Sequence, residues 1–186
     1  FKTRDGGVLR LETLISEINE AVYNRIMENR EMEEDEARQV AAMVGLSALK
    51  YGDLSNQASK DYIFDVDRFT SFEGNTGPYI LYSIVRIKSV LNRFAGEGGN
   101  PDSCNSIIAP ANDTEVNVML QLVRYNEMIE QAYTDNAPHK VCQYIYELAD
   151  AFNSFYHGNK ILSEPDEDRK KSWIALLKLV KDVLVQ

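Results

Sequence analysis

Apolar positions recur with a helical period along most of this chain. Leu11, Leu14, Ile15, Ile18, Val22 and Ile26 share one side of a helix at about 100° per residue and predict a long amphipathic helix to about Arg30. The acidic run Glu28, Glu31, Glu33, Glu34, Asp35 and Glu36 opens the next helix, where negative charge suits the N-terminal end of the dipole. Ala37, Val40, Ala41, Val44 and Ala48 carry that helix to about Leu54. Its stripe of small residues predicts close packing against a neighbour. Asp61–Val66 reads as a short extended segment, not as part of a sheet.

A third long helix starts at Gly77-Pro78, with a cap and a pre-set φ, and ends near Ala95, before Gly96, Gly98, Gly99 and Pro101. Asn112 and Glu115 have capping-box spacing and start a helix whose stripe is Met119, Leu122, Val123 and Ile129. Asp135 or Asn136 is placed to cap a helix bearing Pro138 in its first turn, and Gly158 sits where a left-handed C-terminal residue belongs. Ser163 to Asp166 precedes a final helix with Trp173, Leu176, Leu177, Val180 and Leu184. The expectation is an all-α bundle of about six helices.

Composition sharpens this picture in three ways. With 186 residues, 44% hydrophobic and 26% charged, the chain can bury a real core in a soluble globular fold. It contains no apolar run of the roughly 20 residues that span a bilayer. Two cysteines, Cys104 and Cys142, form no disulfide framework, which fits a reducing cytoplasm. The opening Phe1-Lys2-Thr3, with no Met and no signal-like stretch, leads us to expect a piece of a longer protein. The net charge of −9 argues against non-specific nucleic-acid binding, which phosphate contacts dominate. It leaves room for recognition of splayed RNA bases by a local basic and aromatic face.

The helix from Pro78 has such a face. Ile80, Ile84, Ile87, Leu91 and Phe94 form its core stripe, and Tyr79, Tyr82, Arg86 and Arg93 fall together on another side. Tyrosines and arginines on a non-core face suit base stacking and phosphate binding. The same residue types also mark protein interfaces, so the face alone leaves both readings open. Other constellations carry less. His139 and Cys142 make half a zinc site at most, and Gly96-Glu97-Gly98-Gly99 lacks the lysine of a phosphate loop. On the helix after Pro138, Val141, Ile145, Leu148, Phe152 and Phe155 form a core stripe, with Phe152 near its centre and Tyr156 toward its edge.

Three segments, in order, resemble arginyl-tRNA synthetase, a class I family. Phe72-Glu73-Gly74-Asn75-Thr76-Gly77-Pro78-Tyr79-Ile80-Leu81-Tyr82 is similar to the start of its anticodon-binding helical domain. Phe1-Lys2-Thr3-Arg4-Asp5-Gly6-Gly7 looks like its variant of the KMSKS loop, with Phe1 and Lys2 departing from the strict pattern. Arg124-Tyr125-Asn126-Glu127, Pro138 and Leu148-Ala149 resemble the middle of the anticodon domain. Near the end, Ala175-Leu176 is recognisable from a DALR-type signature whose arginine this chain lacks.

The resemblance implies an order of parts: 1–10 as a remnant of the catalytic KMSKS-like loop, 11–74 as a stem-contact helical region and 75–186 as the anticodon-binding bundle. It implies that Lys2, Thr3 and Arg4 help hold ATP phosphates in the full-length enzyme, which uses ATP with Mg2+. It also implies that Asn75, Tyr79, Tyr82, Arg86, Phe152 and Tyr156 meet tRNA. Neither His139 nor His157 lies in the family's His-x-Gly-His string, so this piece is expected to hold no catalytic residue, no metal and no cofactor of its own. The expected partners are tRNA-Arg and the enzyme's own N-terminal catalytic domain, with no DNA and no membrane. Two alternatives remain at this stage: a helical protein-interaction scaffold, and the similar anticodon domain of the cysteine enzyme.

Overall fold

The computed structural model describes residues 10–29, 32–63 and 65–186; the KMSKS-like residues Lys2, Thr3 and Arg4, and nearly all of the segment 1–10, lie outside them. The described residues are helical with no strand: α1 Leu11–Asn29, α2 Glu34–Leu54, α3 Val66–Phe69, α4 Gly77–Gly96, α5 Asp113–Val123, α6 Tyr125–Thr134, α7 Pro138–Gly158 and α8 Glu167–Val185. Two single 3-10 turns, Pro101–Ser103 and Ile161–Ser163, lie between the longer elements. The chain divides into two compact units, the first ending at Tyr79 and the second being Ile80–Gln186, so the boundary falls inside α4.

In the first unit α1 and α2 fold back on one another. Ile18 and Val22 are buried against Ala37, Ala41 and Ala48, which belong to the small-residue stripe read from the sequence, and against Gly45, which that reading left out. At Gly45 the approach is so close that a Cβ would fall 2.3 Å from Asn19 Oδ1. Arg38 donates to Glu34 Oε1 at 2.9 and 3.1 Å while its guanidinium covers the Tyr23 ring at 4.4 Å. Glu33 is the N-cap residue of α2 and Glu34, Asp35 and Glu36 stand in its first turn, where the dipole favours negative charge, while Glu28 lies in α1. Ahead of α3, residues 61–63 are neither helix nor strand and Asp65 is extended, with the expected extended segment overlapping the turn only at Val66; Asp65 caps α3 through the Arg68 N–H. Arg25 of α1 holds that turn, with donors to Asp67 and to both oxygens of Thr70. Phe69 packs onto Gly52, where a Cβ would overlap its ring.

The start of α4 also differs in its means. The side-chain cap is Thr76, whose Oγ1 accepts the Tyr79 N–H at 3.2 Å and donates to Ser71 O at 2.6 Å. Gly77 is the first helical residue, and its place is fixed by contact. A Cβ there would lie 2.4 Å from the Ser47 carbonyl oxygen.

The second unit builds its core from Ile84, Ile87 and Phe94 of α4, Leu148, Phe152 and Phe155 of α7, and Trp173, Leu176 and Val180 of α8. The Phe155 and Trp173 rings meet edge to face at 5.5 Å. The segment expected as one helix from Asn112 breaks at Arg124 into α5 and α6, which with α3 gives eight helices among the described residues where about six were expected. Tyr144 of α7 is fully buried and donates its hydroxyl to the Gln121 carbonyl at 2.9 Å. A side-chain donor entering the backbone ladder is a recognised cause of such a break. Burial pushes that phenol up to about 12 and the buried Cys142 thiol up to about 11.

The long connection before α5 is laid along α8 by polar contacts. The Ile108 N–H donates to Ser172 Oγ at 3.1 Å, Arg169 donates to Ala109 O, and the Ala111 N–H donates to Glu115 Oε2 at 2.8 Å. Asn112 caps α5 through the Glu115 N–H at 3.0 Å, so the expected box forms with its return bond shifted one residue outward, to Ala111. Two other caps depart from the sequence reading. Asp135 ends α6, Asn136 takes a left-handed φ of 51°, and Ala137 precedes Pro138 without a side-chain cap. Gly158 is the last helical residue and has no positive φ; Asn159 supplies the cap chemistry by donating to Phe155 O at 2.8 Å.

Two stability outcomes follow from this packing. Gly77→Ala should cost about 1–3 kcal/mol, because the added methyl meets backbone that cannot rotate away. Phe152→Ala, which empties a fully buried aromatic site, should cost about 3–5 kcal/mol. Urea denaturation followed by circular dichroism checks both; wild-type midpoints would contradict these contacts.

Candidate nucleic-acid interface

Within the second unit the side chains that matter are set by two helices. On α4, Tyr82 and Arg86 are one turn apart, so the tyrosine hydroxyl and the guanidinium reach each other. On α7, Phe152, Asn153, Tyr156 and His157 occupy two successive turns. Arg86 stands between the aromatic rings of both helices. Its Cζ lies 4.6 Å from the Tyr82 ring centroid and 4.9 Å from that of Tyr156.

The guanidinium is also held in its plane. Nη2 donates to the Tyr82 hydroxyl at 2.8 Å, and Nη1 donates to Asn153 Oδ1 and lies 3.4 Å from His157 Nε2. Asn153 is itself 7% exposed and donates from Nδ2 to Ser83 Oγ at 2.9 Å. A buried amide thus has both ends engaged, which fixes its orientation and that of the arginine it accepts from. Below Tyr156 lies Phe152, with ring centroids 6.1 Å apart, and beside it His157 at 5.5 Å.

The result is a rigid aromatic clasp open to solvent on one side. Tyr82 is 43% exposed and Tyr156 is partly exposed, so both retain ring surface for a planar ligand. Stacked cation–aromatic contacts of this kind contribute about 0.5–1 kcal/mol at exposed sites and more where water is excluded. Among the described residues no cluster of three or more His, Cys, Asp or Glu side chains is arranged as cation ligands would be. No helix among them is long and apolar enough to cross a membrane.

The residues singled out in the sequence meet different fates. Tyr82, Arg86, Phe152 and Tyr156 come together. Phe152 is fully buried, so its ring presents no face to a base and works as support for Tyr156. Arg86, read as a phosphate contact, gives Nη1 and Nη2 hydrogens to Asn153 and Tyr82. Asn75 and Tyr79 belong to the first unit, where Asn75 accepts the Tyr51 hydroxyl and Tyr79 is partly exposed. The residues missed were Ser83, Asn153 and His157. Ser83 sits between Ile80 and Ile84, and Asn153 beside Phe152, so each is a polar residue set into an apolar stripe. That interruption was the available signal, since a polar side chain on a buried face needs a partner.

Comparison with known proteins bears on this face directly. Residues 80–186 match the family model described as the DALR anticodon binding domain, and residues 1–66 match the class I (R) tRNA synthetase catalytic domain. The arginine–tRNA ligase of Agathobacter rectalis is 59% identical, with 99% of this chain covering 32% of that protein. The ligase of Alkaliphilus oremlandii is 53% identical, covering 99% of this chain and 31% of that protein. The chain therefore spans about a third of the length of the curated relatives it matches. The arginyl-tRNA synthetase structure from Plasmodium falciparum superposes with a TM-score of 0.80 at 25% identity, over 95% of this chain and 31% of that one. The Thermus thermophilus arginyl-tRNA synthetase has the same fold, with a TM-score of 0.78 at 23% identity over 96% of this chain and 30% of that one. Since the matched segment takes in the second unit entire, clasp included, this chain belongs to the DALR anticodon-binding domain family.

Proposed function

We propose that this chain recognises tRNA-Arg through the anticodon arm, as part of an arginine–tRNA ligase working in the cytoplasm. The parent reaction joins L-arginine to tRNA-Arg at the expense of ATP, giving arginyl-tRNA, AMP and diphosphate. The observation that supports the reading best is the clasp of Tyr82, Arg86 and Tyr156, which lies within the segment matching an anticodon-binding family. Unpaired anticodon bases have free π-faces, and exposed tyrosine rings held at fixed orientation stack on them without needing a strongly basic surface. This answers the objection posed by the net charge of −9.

Roles divide accordingly. Tyr82 and Tyr156 are the stacking surfaces. Arg86 orients both, with Asn153 and Ser83 behind it. Asn75 and Tyr79 remain candidates for tRNA contact from the first unit. We read 11–74 as the region that meets the tRNA stem and 75–186 as the anticodon bundle. Lys2, Thr3 and Arg4 would serve the phosphates of ATP in the full-length enzyme. In this reading ATP with Mg2+ belongs to the parent's catalytic part, and no step is routed through it here.

Tyr82→Ala and Tyr156→Ala should each weaken binding of an anticodon stem-loop by about 1–3 kcal/mol, the range for one stacking surface. Arg86→Ala should weaken it as well, because both rings lose the group that orients them. Arg86→Lys should not restore binding, since a lysine cannot fill the planar fork. Fluorescence anisotropy across a salt series reads all four variants; unchanged affinity in every one would end the proposal. The purified 186-residue chain should also show no arginine-dependent ATP–pyrophosphate exchange, and measurable exchange would refute the division of labour with a separate catalytic part.

A further inference from the structure

Next to the clasp is a depression of about 310 Å3, at the lower end of the range of roughly 300–1,000 Å3 typical of ligand sites. Val90 and Arg93 of α4 form one wall and Tyr156 and His157 of α7 another, and the segment from Asn159 to Ser163 closes it. Val90 and Ile161 are buried and give it an apolar floor. No acidic residue lines it. That is notable in a chain with 29 Asp and Glu against 20 Lys and Arg.

Two cations converge here without an anion to hold them. The Arg93 and Lys160 side chains are exposed, and neither makes an ion pair or hydrogen bond within the described structure. In contrast, the wall between them is fixed. Asn159 donates to Phe155 O at 2.8 Å and Thr114 Oγ1 at 3.1 Å, and accepts from Asn112 at 2.8 Å. The following turn is closed by the Ser163 N–H donating to Lys160 O at 3.0 Å. Arg93 lies seven residues beyond Arg86, about 10 Å further along α4. A strand whose base stacks on Tyr82 and which runs on along this helix enters the depression next.

We propose that the depression is a second nucleotide subsite for the same RNA strand: the neighbouring ribonucleotide places its phosphate between Arg93 and Lys160 and its base against the Tyr156–His157 wall. The inference rests on the reading that this domain binds a single-stranded RNA loop, and it adds the residues that hold the strand's charge. The clasp supplies stacking, with Arg86 Nη1 and Nη2 donating to Asn153 and Tyr82; this subsite adds two exposed cations for the strand's phosphate.

The test uses the whole chain and an arginine-accepting anticodon stem-loop, titrated over a salt series. Arg93→Gln and Lys160→Gln should each make the slope of log affinity against log salt shallower, and the double variant by about 0.7 in all, the value for one phosphate of a single strand, with melting temperature unchanged. A stem-loop carrying one neutral methylphosphonate linkage, moved through the loop, should lose affinity at one position with the native chain and lose nothing further there with the double variant. If both glutamine variants keep the native slope while Tyr82→Ala loses affinity, the subsite is wrong and the anticodon reading stands. If none of the three changes binding, both fall. If a free nucleoside monophosphate binds with the same dependence on Arg93 and Lys160, the site takes free nucleotide and the strand assignment is overturned.

Discussion

One carboxamide ties the second unit's polar surface to its core. Asn153 gives its amide hydrogen to Ser83 and takes a hydrogen bond from Arg86, so a helix–helix contact and the geometry of the exposed clasp depend on the same side chain. Inside a protein an unpartnered amide is costly, and a satisfied one specifies a unique arrangement. The rings of Tyr82 and Tyr156 are consequently placed by an interaction that lies beneath them. A surface built for stacking gains most from such rigidity, because little rotamer freedom is then lost on binding.

The first unit reaches rigidity by a different route. Its helices approach through Ala37, Ala41, Gly45 and Ala48, with Gly52 and Gly77 admitting Phe69 and the Ser47 carbonyl. Contact at that distance depends on the absence of atoms. Arg25 then adds the polar fastening by holding both oxygens of Thr70. Neither unit contains a strand among the described residues, and the fastenings named here run between side chains, or between a side chain and the backbone of a turn, helix or connection.

Much of this was legible before any coordinate. The bounds of α2, the start of α5 at Asn112, the first-turn position of Pro138 and the core stripe of α7 all follow from period and cap chemistry. The clasp was half legible, because Tyr82 and Arg86 fall on one face by spacing alone. What Arg86 would do was not, since Asn153 lies 67 residues away and only the fold brings them together. The break at Arg124 was hidden for the same reason, since the tyrosine that takes up the Gln121 carbonyl there lies on another helix. Gly158 misled because a glycine near a helix end suggests a left-handed cap, whereas here the neighbouring asparagine satisfies the carbonyl. Local rules find element ends whose partners are local.

Cys142 provides a consequence of a different sort. Its thiol is buried in α7 and pushed up to about 11 by that burial, so near neutral pH it is neither reachable nor ionised while the helix stays packed. Cys104, buried as well and like Cys142 outside any disulfide, sits in the same unit at the end of the 3-10 turn Pro101–Ser103. The unit therefore carries two silent thiols, one in its central helix and one in a surface connection. Their rates of reaction with a small alkylating reagent become two clocks for opening. The difference between them separates local fraying of the connection from exposure of α7, with no foreign label in the molecule.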